Sequence, residues 1–122
     1  MPYSFYMFWH VFSLMAAVIS LGAILGHLLQ GGSKQDFQPR KLIAIIHGVA
    51  LAFAFISGFG LIAKGGYSFS TSQWLYIKLF GWLILGAFPL LAYRKILPPR
   101  TALITLILVV GLAVYAVSFK PF

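Results

Sequence analysis

Four apolar runs, each close to the length that crosses a lipid bilayer, dominate this chain of 122 residues. They extend from about Phe5 to Leu29, Leu42 to Ala63, Gln73 to Tyr93 and Thr101 to Phe119. A helix rising ~1.5 Å per residue needs about 20 residues to cross ~30 Å of hydrocarbon. With 61% hydrophobic and only 8% charged residues and a mean hydropathy of +0.98, the chain lies far from globular proteins, in which about a quarter of residues are charged. The expected fold is all-α, with residues 1–122 forming one integral membrane bundle of four transmembrane helices.

The punctuation between the runs is clear. Gly31, Gly32 and Pro39 mark a first loop, Gly65 and Gly66 a second, and Pro98 and Pro99 a third. Ser70 followed by Gln73 predicts a capping box at the start of the third helix. Pro89, inside that helix, predicts a kink and a freed carbonyl one turn below. Small residues Ser13, Ala16, Ser20 and Ala23 form a stripe on the first helix with His27, and Gly22 and Gly26 add a GxxxG beside it. In lipid, helices associate through such close-packing faces.

Net charge is +8, but the cations sit in short loops and form no basic face or groove, so nucleic acid is not an expected partner. Lys34, Arg40 and Lys41 in the first loop and Arg94, Lys95 and Arg100 in the third oppose Lys64 and Lys120 on the other side. The positive-inside rule then places the first and third loops in the cytoplasm, N-out and C-out, where the cations meet anionic lipid headgroups. Trp9 and Trp74 fall near the outer interface, as indoles prefer. MPYSFYMFWH carries no basic region ahead of its apolar run, so the first helix is expected to be retained and not cleaved as a signal peptide.

The chemical inventory is short. With no cysteine, disulfides, thiolate metal sites and thiol catalysis are excluded. Asp36 is the only carboxylate, which removes paired-carboxylate hydrolysis, carboxylate-rich metal sites and an embedded acidic proton relay. The serines have no carboxylate to orient a histidine, and no catalytic residue is assigned.

Lys78 stands inside WLYIKLFGWLILGAFPLLAY. A charge at membrane depth costs at least ~2.5 kcal/mol on insertion scales, so it marks a functional site whose partner must be sought. Counting along straight helices, His10 and Lys78 share an outer layer, while His47 and His27 share an inner one. Imidazole is a standard haem ligand, and four-helix bundles build cofactor sites from facing helices. His10, His47 and His27 are thus candidate metal ligands, and with Lys78 they form the candidate cofactor-binding set for a b-type haem or a porphyrin. Two imidazoles on one iron must come within ~4 Å of each other, which favours His27 with His47, or His10 with Lys78 as sixth ligand or propionate partner. The alternative is cofactor-free: the same side chains act as interhelical hydrogen bonders, and the protein is an accessory or scaffold subunit that docks a membrane protein partner or a second copy of itself.

An early His in FWHVFSLMAA, a second in IIHGVALAFAFISG, then WLYIKLFGWLILG and a final AVYAVSF resemble, in that order, the SirB family of small inner-membrane proteins over nearly the whole chain. The resemblance implies a bacterial inner-membrane protein named after an effect on invasion-gene expression. More distantly, His10 and the WLxxKL pattern at Trp74, Leu75, Lys78 and Leu79 are similar to features of HemJ-type membrane protoporphyrinogen oxidases. That likeness implies haem or porphyrin binding with the His and Lys essential. Tyr76 stands where the oxidase pattern usually has a His, and the longer loops and extra helix of those enzymes are missing.

Overall fold

A computed structural model of the chain describes residues 2–68 and 70–119; Lys120, used above to weigh the loop charges, lies outside them. Four helices follow one another: α1 (Tyr3–Leu29), α2 (Arg40–Gly65), α3 (Trp74–Tyr93) and α4 (Pro99–Phe119). All four are long and apolar enough to cross a membrane, and the protein is an all-α membrane bundle. Large apolar side chains such as Ile19, Ile45, Ile56, Leu83 and Leu108 are exposed on its outside, which suits contact with lipid.

Each helix ends where the backbone chemistry requires. Gly66 takes a left-handed φ of 71° after α2 and returns its N–H to Ile62, as glycine does most readily. After α3 the same turn is made by Lys95, at φ 54°, and Ile96 N–H closes on the Leu91 carbonyl at 3.1 Å. Pro99 opens α4, where a missing N–H costs nothing. The expected capping box does not form. Gln73 is itself the residue that precedes α3 and makes no side-chain cap bond, while Ser70 belongs to a turn closed on Ser68 and its hydroxyl pairs with that of Ser68 at 2.8 Å. Helix α3 runs unbroken through Pro89.

Contacts show the arrangement. Helix α1 touches each of the other three, whereas α2 and α4 do not meet among the described residues. Contacts of His10 with Ala54, His47 with Leu85 and Gly81 with Val109 show that successive helices are antiparallel, so Tyr3, Gly65, Trp74 and Phe119 share one end, here called upper, and the first and third loops share the lower end. The lower half is tightly packed around Leu21, Leu25, Leu51, Leu85, Phe88 and Leu106. The upper end carries a smaller cluster of Trp74, Leu75 and Ala116, with Ile62 and Tyr67 against it. Helices α1 and α2 approach closely at glycines: a Cβ at Gly58 would come within 3.2 Å of the His10 ring, and one at Gly60 would overlap the ring of Tyr6.

A candidate cofactor cavity

In the upper half of the bundle the helices form a half-open cavity of about 610 Å³, within the ~300–1,000 Å³ usual for small-molecule sites. Its walls are almost wholly apolar, drawn from all four helices and including Leu14, Phe55, Leu79, Trp82 and Val110. His10 and Lys78 both line it. They are half-buried and lie within electrostatic range of one another. Two groups separated by 68 positions in the chain thus meet at one site, because α1 and α3 cross the membrane side by side and each residue enters from the upper end to a similar depth.

The hydrogen bonds around His10 assign its tautomer. Nδ1 lies 3.0 Å from the Ala54 carbonyl oxygen and 3.4 Å from Ser57 Oγ, and Ser57 donates its own proton to the Phe53 carbonyl at 2.6 Å. A carbonyl only accepts, so Nδ1 carries the proton, and in the neutral ring Nε2 keeps its lone pair. That is the arrangement by which histidines are set as metal ligands, one nitrogen anchored to an oxygen and the other available. Gly58 makes room for the ring against α2.

The other two histidines have different surroundings, and neither lines the cavity. His47, buried between α2 and α3, donates from Nε2 to the Leu85 carbonyl at 2.9 Å. His27, at the lower end, places Nε2 2.6 Å from an Asp36 carboxylate oxygen and 2.9 Å from the Ser33 carbonyl, and its ring lies 4.6 Å from that of Phe37. Asp36 also accepts the Ser33 N–H at 2.7 Å. That amide first, and the His27 side chain next, hold the Asp36 carboxyl below the usual carboxylate range. The inner-layer pair is therefore not brought together on one site: His27 fastens the first loop and His47 joins two helices.

Trp82 joins the site without a motif to mark it. It lines the cavity and donates Nε1–H to the Leu51 carbonyl at 3.0 Å, tying α3 to α2. Its position four residues after Lys78 puts it on the same helical face, and that spacing was the available signal. Among the described residues, no three His, Cys, Asp or Glu side chains gather into a metal-binding group. A porphyrin is a separate case, because it brings its own equatorial nitrogens and needs only an axial donor.

No protein family, no curated protein and no solved structure matches this chain.

Proposed function

We propose that this protein is a SirB-like integral membrane protein of the bacterial inner membrane that holds a b-type haem or a related porphyrin in the upper cavity, in a redox or haem-handling role. One observation carries the reading: an apolar cavity of suitable size, lined by a histidine whose free nitrogen is Nε2 and by a lysine beside it. His10 would hold the iron through Nε2. Lys78 pairs with a propionate, since an ammonium in an apolar wall favours an anionic partner. The apolar walls would offer the ring a largely water-poor surface. The distribution of loop cations supports an orientation with the lower loops in the cytoplasm and the cavity in the outer half of the membrane.

The test is an ultraviolet-visible spectrum of the full chain, expressed with haem precursor and purified in mild detergent, with and without dithionite. A Soret band that is lost or strongly weakened in His10→Ala supports the reading. A colourless wild type after full haem supplementation ends it.

A further inference from the structure

The lower end of the bundle presents a second group of charges that the cavity does not use. Lys34 places its Nζ 5.4 Å from the centre of the Tyr93 ring. Arg40 lies within electrostatic range of the same tyrosine, and it holds the first loop by donating from Nη1 to the carbonyls of Gln35 at 2.8 Å and Lys34 at 3.3 Å. Both bonds use one nitrogen, which leaves the Nη2 and Nε donors of a five-donor guanidinium for an external oxygen.

Among the described residues neither cation forms an ion pair with a carboxylate. The chain contains a single acidic side chain, Asp36, and its Oδ1 is engaged by His27 and the Ser33 amide, so one carboxylate stands against several cations at this end. Arg94 and Lys95, just past the end of α3, stand where the helix dipole favours positive charge. Arg40 and Lys41 stand in the first turn of α2, where the dipole opposes it. Lys34, over the Tyr93 ring, and Arg40, bonded to the Lys34 carbonyl, are two like charges held close together, and an anion supplied from outside relieves their repulsion.

We propose that Lys34 and Arg40, converging on Tyr93, bind the phosphate of an anionic phospholipid at the lower membrane surface. The place in the fold selects a lipid over a soluble phosphate. Tyr93 is the last residue of α3 and Arg40 the first of α2, so the site lies where hydrocarbon gives way to headgroups. Leu90, one turn before Tyr93, and Leu42, early in α2, are exposed apolar side chains. An acyl chain covers such surface; a free phosphate does not. The site lies at the opposite end from the cavity and is independent of whether a porphyrin binds there.

The experiment reconstitutes the purified full chain into nanodiscs of mixed phosphatidylcholine and phosphatidylglycerol and reads the retained lipids by native mass spectrometry. The wild type is expected to retain phosphatidylglycerol preferentially. Arg40→Gln and Lys34→Gln should each lower that preference about fivefold, the equivalent of ~1 kcal/mol per cation near an anionic surface. Lys64→Gln, at the upper end, should leave it unchanged. Lys34→Gln keeps the test sound if Arg40→Gln loosens the loop, because Arg40 bonds only to the main chain of residue 34. Equal retention of the two lipids by the wild type would overturn the proposal. So would undiminished preference in both variants, or displacement of the lipid by inorganic phosphate at constant ionic strength.

Discussion

His47 on α2 donates to the carbonyl of Leu85 on α3 at 2.9 Å, and Leu85 is the residue whose helical partner is missing, because Pro89 four positions later has no N–H. A proline creates an open acceptor inside the membrane, and a histidine from the neighbouring helix fills it. In hydrocarbon no water is present to do so. Together with Trp82 bonded to the Leu51 carbonyl, this pair fastens α2 to α3 beside the cavity, which Trp82 and Leu85 both line.

The two residues should therefore be energetically coupled. His47→Leu is expected to destabilise the wild type by about 1 kcal/mol, the scale of an interhelical hydrogen bond in lipid. In a Pro89→Ala background the restored amide satisfies Leu85 within its own helix, and the same histidine substitution should cost less than half as much. A double-mutant cycle of unfolding in mixed micelles measures the difference; equal penalties in the two backgrounds would show that the pair is not coupled.

The α1–α2 contact separates glycines that look alike in sequence. A methyl group at Gly60 meets the body of the Tyr6 ring, while Gly22 and Gly26 face open space. Overpacking costs typically ~1–3 kcal/mol, so Gly60→Ala should lose stability in that range. Gly22→Ala and Gly26→Ala should be neutral or slightly stabilising, alanine having the better helix propensity by up to ~1 kcal/mol. Thermal unfolding of the three variants in one detergent decides between these outcomes.

The helices could be read from the sequence to within two residues at each end, because length and polarity leave a membrane chain few choices: the run from about Phe5 to Leu29 is α1 at Tyr3–Leu29, and Gln73 to Tyr93 is α3 at Trp74–Tyr93. Depth was also legible, since rise per residue places His10 and Lys78 at one level. Rotation about the helix axes was not. Whether His47 faces His27 or α3 depends on how α2 turns toward its neighbours, and Pro89 decides it by offering an acceptor. The pairing of His27 with Asp36 depends on the path of the loop between them, which residue spacing does not determine. The capping box at Ser70 failed for a similar reason, as a competing turn on Ser68 used the hydroxyl.

The first loop should respond to acid in a defined direction. The Asp36 carboxyl is held below its usual range by the Ser33 amide and by His27, so the unfolded chain takes up the proton more readily than the folded one. Its stabilising contribution is complete above about pH 4, the ordinary aspartate value, and is lost as pH falls through the lower folded value. Followed by nuclear magnetic resonance, the Ser33 amide should keep its hydrogen-bonded shift at pH 4 and lose it only below. Asp36→Asn retains an acceptor and should abolish the titration while preserving much of the loop, whereas Asp36→Ala should release it at neutral pH.

His10 and Lys78 line one cavity but have different duties, and spectra separate them. If His10 is the axial donor, His10→Ala removes a bond to iron, and the Soret and reduced α bands should shift or vanish. If Lys78 meets a propionate, Lys78→Met leaves the coordination sphere untouched: the band positions should match those of the wild type, while affinity falls about tenfold, as expected for loss of a charge-assisted hydrogen bond of ~1.5 kcal/mol. Lysine as the sixth ligand gives another pattern, in which Lys78→Met changes the low-spin spectrum itself. Titration of haem into the two purified apo-variants, recording band position and dissociation constant together, distinguishes these assignments. Unchanged position and unchanged affinity in Lys78→Met would remove the lysine from the site.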